Sequence, residues 1–310
     1  MILLLETVHA DAHSLLTADH DMALVENLAD FDPRNYEGVR AVVTRGLGQV
    51  TAEVIAALPD LEVIARCGVG LDNIDTDAAR EAGIPVVHAP GLLTTAVAEQ
   101  ALLLMLAVSR KLVIVDRAVK EGNWAIRNGF ESSELSRKRL GVVGLGAIGT
   151  RVAELGVALN MDVVCSTRRS GDLVVPKVSF DELLATSDVI QICVPLTDET
   201  RAMFDASVFT KMKDTAVLIN TARGAIVDRE ALADALEAGS IAGYGADGWD
   251  PEPPDADDRV IAFATSVVTP HVAVLTDVTY REICMAPAAS VLNVLAGNGP
   301  DPKTHFEPSG

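Results

Sequence analysis

Three side chains in the second half of the chain are of the types that grip, orient and protonate a carbonyl compound. They are Arg223 in INTARGAIVD (219–228), Glu252 in GADGWDPEPP (245–254) and His271 in VVTPHVAVLT (267–276). A guanidinium can give a carboxylate two parallel hydrogen bonds, and an imidazole changes charge near neutral pH. Each residue follows a short apolar run that reads as a strand. In an open α/β sheet ligands bind outside the carboxyl ends of the strands, so the three are expected to converge on one crevice. Singly they are ordinary: a surface ion-pair arginine, a strand-end histidine, a glutamate in an acidic, proline-rich loop. Their joint occurrence is what points to chemistry.

The element that would bring them a cofactor lies upstream. GLGAIG places Gly144, Gly146 and Gly149 directly after the strand-like LGVV and directly before the helical run AIGTRVAELGVAL. In that context the first glycine permits a tight turn, the second lets backbone approach a pyrophosphate, and the third allows close helix–strand packing. The helix N-terminus then offers unpaired N–H groups to the anion. The next strand runs into CSTRR about twenty residues on, where an NAD enzyme normally places an acidic residue for the ribose hydroxyls. Thr167 stands there, with Arg168 and Arg169 beside it. No carboxylate opposes a 2′-phosphate and two guanidiniums favour one, so NADP(H) is expected over NAD(H), which stays possible.

The surrounding pattern is α/β. Strand-like runs at 2–5, 40–44, 62–65 and 85–89 alternate with helical stretches, which predicts βαβ units and a parallel sheet. Six more runs, at 139–146, 162–167, 187–194, 215–220, 243–247 and 266–270, match a complete doubly wound dinucleotide fold. Thr94 to Lys120 reads as one long helix bridging the two domains. A closing helix over roughly Thr276 to Leu295 is followed by a polar tail, GNGPDPKTHFEPSG.

Composition narrows the partners. A chain of 310 residues with 49% hydrophobic content can bury ample core, and its net charge of −19 argues against nucleic acid or an anionic membrane surface. Cys67, Cys165, Cys193 and Cys284 show no CxxC pair and no zinc-type spacing with histidine, so they read as buried free thiols and no metal is expected. The N-terminus has no basic flank, and no apolar run approaches the ~20 residues that span a bilayer. A cytoplasmic location is expected.

The order GxGxxG, NxxRG, an acidic residue before Pro, then PH resembles that of the D-isomer-specific 2-hydroxyacid dehydrogenases. CGVGLDNID (67–75) and TTAVAEQALLLML (94–106) are similar to that family too, and the likeness runs from about residue 38 to 295. The resemblance implies two Rossmann-like, doubly wound domains. A cofactor domain (94–285) would be inserted into a substrate domain (1–93 plus 286–310), with a homodimer held through the helix after Thr94. It implies that Arg223 clamps the substrate carboxylate, His271 is the proton donor in reduction, and Glu252 orients His271 and raises its affinity for a proton. Val69 and Gly70 would give backbone N–H groups to the carboxylate, and Asp247 would hold the nicotinamide carboxamide. Ala147, Ile148, Val194, Thr221 and Ala222 match cofactor-lining positions.

For the substrate, a small 2-keto or 2-hydroxy acid, two readings stand. APGLLTTAVAE (89–99) is closer to the glyoxylate and hydroxypyruvate reductases, which suits an NADPH preference. Arg45, Arg66 and Arg127 match basic positions of the phosphoglycerate dehydrogenases and would recognise a second anionic group. Formate dehydrogenases carry glutamine where Glu252 stands, so formate is disfavoured. The long, feedback-regulated phosphoglycerate dehydrogenases carry an extra domain after the closing helix, so their architecture is not expected to be matched, and the short ones remain possible. Gly248, Trp249, Val274 and Leu275 depart from the family's usual residues and predict an unusual pocket wall. A reading of another class, a cofactor-sensing corepressor-like binding protein, shares the same residues.

Overall fold

The aliphatic and β-branched runs become parallel strands because both faces of each sheet are covered. Along β9 (Val217–Asn220), Val217 and Ile219 enter one buried cluster with Leu104, Leu140 and Val152. Leu218 between them enters another, with Leu183, Ile190 and Phe204. Near-continuous apolar strands of this kind are what a parallel sheet between two helical layers requires. The computed structural model describes residues 1–307.

The chain divides into two units. One is Met1–Leu93 with the chain from Val274 onward; the other is Thr94–Ala273. The second crossing falls after Ala273 rather than after 285, because the closing helix, Thr279–Leu295, packs as a whole on β4 (Val63–Arg66) and on the helix Ala10–Thr17. With β1 (Ile2–Leu4), β2 (Met22–Leu24), β3 (Ala41–Thr44) and β5 (Val86–Val87), β4 forms a parallel sheet of order β2-β1-β3-β4-β5.

The second unit adds β6 (Arg139–Val143), β7 (Asp162–Ser166), β8 (Val189–Ile192), β10 (Gly243–Ala246) and β11 (Ser266–Val268) to β9, in the order β11-β10-β9-β8-β6-β7. All registered pairs are parallel. A single parallel bridge, Cys165↔Lys177, continues the sheet beyond β7. The chain leaves β6 outward to β7 and returns to β8 on its other side. The carboxyl end of β6 therefore sits at the switch point where such sheets bind ligands.

Three sequence expectations are corrected. The stretch Thr94–Lys120 is two helices, Thr94–Ser109 and Leu112–Lys120, parted where Lys111 takes a left-handed backbone at φ 53°. Strand β2 was not expected; it is three residues long, partly exposed and paired only at the sheet edge. The tail is not wholly loose: His88 N donates to Thr304 O, Phe306 N donates to Val86 O, and Thr304 is buried. Residues 308–310 of that tail, also the end of the expected 286–310 segment, lie outside the described residues.

No helix among the described residues is long and apolar enough to cross a membrane, and no cluster of three or more His, Cys, Asp or Glu is placed to hold a metal ion. The four cysteines are free thiols. Cys67, Cys165 and Cys284 are buried, and Cys193 is partly buried at the end of β8.

Candidate active site

At the end of β6 the three glycines differ in what they make room for. Gly144 has φ 93°, and a Cβ there would stand 2.8 Å from both Cys193 O and the Val194 Cγ1. A Cβ on Gly149 would collide with Gly144 O, so this glycine lets the helix Ala147–Ala158 press onto the loop. Gly146, the helix N-cap, has nothing within 4 Å of its would-be Cβ, and no side chain caps the helix. Its open cradle and the uncapped first turn at Ala147 and Ile148 are the arrangement a pyrophosphate needs. Thr221 and Ala222 follow β9: Thr221 Oγ1 accepts from Gln191 Nε2 at 3.0 Å, and Ala222 N donates to Asn220 Oδ1 at 3.0 Å.

Beyond β7, Thr167 Oγ1 accepts from Arg169 N at 3.2 Å, which leaves its own hydrogen to donate. Arg169 reaches back to the glycine loop, Nη1 to Leu145 O at 3.5 Å. Arg168 is largely exposed and pairs with Glu199 at 2.9 Å. Lys177, which sequence reasoning passed over, donates to Arg169 O at 3.1 Å and adds a third cation to this end of the sheet.

The catalytic candidates stand on loops after the adjacent strands β9, β10 and β11. Asn220 organises the first loop, with Nδ2 donating to Arg223 O at 2.8 Å; Arg223 Nη1 donates to Ala222 O at 2.9 Å. Gly224 lets this loop nest against the next one, since a Cβ there would strike the backbone of Trp249 and Asp250. Trp249 also lines a cavity of about 240 Å³ with Arg201, Gly224, Arg229 and Gly248.

Glu252 and His271 meet directly. His271 Nδ1 lies 3.0 and 2.9 Å from the two Glu252 oxygens, so Nδ1–H donates to the carboxylate and Nε2 is left for a proton exchanged with substrate. Burial pushes the Glu252 carboxyl up. The hydrogen bond and charge of His271, the Trp249 N–H at 2.9 Å and the charge of Arg223 outweigh that and hold it below the usual carboxylate value. Glu252 is therefore ionised throughout the neutral range.

His271 has φ 54°, a left-handed conformation that costs a non-glycine residue roughly 1–2 kcal/mol. Asp247 offsets it. Its carboxylate, 2% exposed, accepts from Val272 N at 3.0 Å, Ala273 N at 2.9 Å and the Thr269 hydroxyl at 2.6 Å. These three bonds leave room for a further donor at the carboxylate.

The first unit holds Arg45, Arg66, Val69 and Gly70. Arg66 is buried, and its guanidinium occupies the space a Cβ on Gly68 would need. Arg45 donates to Thr7 O at 3.1 Å and lies 5.3 Å from the centre of the Tyr280 ring. Val69 is exposed at the turn before Gly70, and its carbonyl accepts from His88 Nδ1 at 3.0 Å. Burial first, then the Arg66 charge, push the His88 imidazole below its usual value and keep it neutral. Glu6, which sequence reasoning missed, orders the Arg45 loop: one carboxylate oxygen accepts from the N–H groups of Arg45, Gly46, Leu47 and Gly48 and from the Thr44 hydroxyl. Arg127 belongs to the second unit, so the three arginines are not one cluster within the first.

A parallel sheet with a glycine cradle at its switch point and a histidine–carboxylate pair at neighbouring strand ends is the arrangement of the dinucleotide-binding α/β folds. Residues 102–273 match the family model described as D-isomer specific 2-hydroxyacid dehydrogenase, NAD binding domain. The chain belongs to the D-isomer specific 2-hydroxyacid dehydrogenase family. It is 43% identical over 262 residues to a D-3-phosphoglycerate dehydrogenase of Archaeoglobus fulgidus, a match covering 83% of this chain and 50% of that one. The chain thus spans about half the length of the phosphoglycerate dehydrogenases it matches. It is 35% identical to a glyoxylate reductase of Aeropyrum pernix, over 94% of this chain and 92% of that one. Among solved structures, the D-lactate dehydrogenase of Aquifex aeolicus complexed with NAD and lactic acid superposes with a TM-score of 0.88 at 28% identity, covering 96% of both chains.

Proposed function

We propose that the chain is an NADP(H)-preferring D-2-hydroxyacid dehydrogenase that reduces a small 2-keto acid of the glyoxylate or hydroxypyruvate type. The observation that carries this is the His271–Glu252 pair, with Nδ1 bonded at 2.9 Å and Nε2 left to act. Arg223 clamps the substrate carboxylate and polarises the keto oxygen, and His271 Nε2 delivers the proton to that oxygen. Glu252 stabilises the imidazolium and fixes its tautomer. A bound nicotinamide cofactor supplies the hydride in reduction and accepts it in oxidation. Gly144, Gly146, Ala147, Ile148 and Gly149 hold its pyrophosphate, Val194, Thr221 and Ala222 line it, and Asp247 takes the carboxamide. Thr167, Arg168 and Arg169, with no carboxylate at the end of β7, favour the 2′-phosphate.

The full-length likeness to a glyoxylate reductase supports this substrate class. A second reading, a 2-hydroxy acid with a further anionic group, is favoured by the 43% identity to a phosphoglycerate dehydrogenase and by Arg45 and the buried Arg66. Within the first unit, Val69 and Gly70 are the backbone N–H groups assigned to an anionic group of the substrate. The exposed Leu103, Leu106, Leu112, Val113, Val119 and Trp124 favour a homodimer through the helices after Thr94, and the free cysteines suit the cytoplasm.

Initial rates with NADPH and NADH, using glyoxylate, hydroxypyruvate, phosphohydroxypyruvate and sulfopyruvate separately, test both readings. NADPH-dependent turnover of the first two is expected. A preference for the last two makes the arginines the specificity element, and no turnover with any of the four leaves a different 2-keto acid or the corepressor-like class. Thr167→Asp with Arg168→Ala should shift preference toward NADH by adding repulsion and removing attraction.

A further inference from the structure

We propose that Gln100 is a positioning residue for His271, acting through the Thr269 hydroxyl and the Asp247 carboxylate; this rests on His271 being the proton donor. Gln100 Nε2 donates to Thr269 Oγ1 at 2.9 Å, and Thr269 Oγ1 donates to Asp247 Oδ1 at 2.6 Å. The Asp247 oxygens accept from Val272 N and Ala273 N, the two N–H groups that follow His271. The carboxylate thereby clamps the turn that holds the imidazole-bearing residue in its left-handed conformation.

The requirement for an amide follows from counting hydrogens. A threonine hydroxyl has one hydrogen, and an ionised carboxylate only accepts. That hydrogen is committed to Asp247 when the group on the other side of Thr269 is a donor, which the Gln100 amide is. The alternative acceptor for the hydroxyl, Ala246 O, is more distant at 3.3 Å. Gln100 sets the polarity of the chain.

Packing puts the amide within reach. Gln100, Leu104 and Val108 are spaced four apart and share one face of the helix Thr94–Ser109. Leu104 and Val108 lie over β10 where it presents Gly245 and Gly243. A Cβ on Gly243 would stand 2.6 Å from Val108 Cγ1, and one on Gly245 would stand 3.1 Å from Leu104 Cβ. The two missing side chains let the helix approach the sheet, and its next turn carries Gln100 to Thr269, just past β11.

The test compares Gln100→Glu, Thr269→Ser and Thr269→Val in the full chain. It reads kcat and KM across pH, the cofactor dissociation constant, and the His271 imidazole resonance assigned by its loss in His271→Ala. Gln100→Glu keeps size but, when ionised, accepts from Thr269 and withdraws the hydrogen from Asp247. Its kcat should fall on the order of 10- to 100-fold, the effect of a displacement near 1 Å at a reacting group. KM for the keto acid should stay near wild type and the His271 resonance should move, while cofactor affinity weakens no more than a few-fold, because Asp247, assigned to the carboxamide, keeps its Val272 and Ala273 bonds. Activity should recover in part on the acid side, where the introduced carboxylate regains a proton and can donate. Thr269→Ser should stay near wild type while Thr269→Val follows Gln100→Glu. An unmoved His271 resonance with unchanged kcat in Gln100→Glu overturns the proposal, as does equal loss in Thr269→Ser and Thr269→Val. Turnover surviving in His271→Ala instead defeats the proton-donor reading, and the resonance then decides by itself whether Gln100 holds the imidazole.

Discussion

Two left-handed residues stand at the same edge of the second sheet, and they are stabilised in opposite ways. Gly144 takes φ 93° because it has no Cβ to clash with Cys193 and Val194. His271 takes φ 54° although it needs its side chain, and the turn is held from outside by Asp247 and Thr269. A binding loop made of backbone can be specified by a few neighbouring glycines. A reacting side chain in a strained turn must be over-determined by residues distant in sequence.

The widest separation between the regions should come from His271→Ala. Turnover should fall by roughly 10²–10⁴ with cofactor binding nearly intact, because proton transfer is lost and the glycine loop is untouched. Cofactor titration followed by fluorescence, beside steady-state rates, checks this; weakened binding with unchanged turnover would remove His271 from its role.

Glu252→Gln should cost roughly 10²-fold in kcat, since it keeps the shape but removes the charge that stabilises the imidazolium. The pH dependence has a definite sign. The Glu252 carboxyl is held below its usual value, so its contribution is fully present above the usual glutamate value and is lost as pH falls through the lower folded value. Over the neutral range Glu252 therefore stays ionised in wild type, and removing its charge should change the pH profile of reduction. A profile unchanged by the substitution would dissolve the pair.

On the other side of the comparison, Gly146→Ala should weaken cofactor binding about tenfold, roughly 1.4 kcal/mol, with the melting temperature unchanged, because its Cβ enters open space. Gly149→Ala should instead lower the melting temperature, as overpacking costs about 1–3 kcal/mol. Calorimetry with and without cofactor separates the two, and equal melting temperatures would refute the distinct roles.

The smallest effect is expected at the rim. Glu199 pairs with Arg168, both largely exposed, and competes with a 2′-phosphate for that guanidinium. Glu199→Gln should raise the NADPH-to-NADH ratio of kcat/KM only a few-fold, in keeping with exposed pairs worth about 0.2–1 kcal/mol. A fall in the ratio would mean that Arg168 does not read the phosphate.

How much was legible follows the same division. The spacing of Gly144, Gly146 and Gly149 between a strand and a helix made the tight turn and the close helix packing legible, because each acts on its immediate neighbours. Arg223, Glu252 and His271 were legible as residues at strand ends, but their mutual geometry was not. Gln100 sat in a helical pattern with no sign that it faced Thr269, 169 residues on. Glu6 was equally silent, since the N–H groups it gathers belong to a loop some forty residues away. Strand β2 escaped notice because three partly exposed residues beside acidic neighbours carry no alternation, and only pairing with β1 makes them a strand.

The sequence by itself determined the parallel α/β class, the glycine loop and the chemical types of the candidate groups, since these depend on local periodicity, glycine spacing and side-chain chemistry. Tertiary structure alone decided which nitrogen of His271 is bound, what holds its turn, and that Arg66 is buried against Gly68 while Arg168 stands in solvent beside Glu199. Hydrogen bonds and burial are set by which chain segments meet in space, and that is fixed only when the sheets close on their helices.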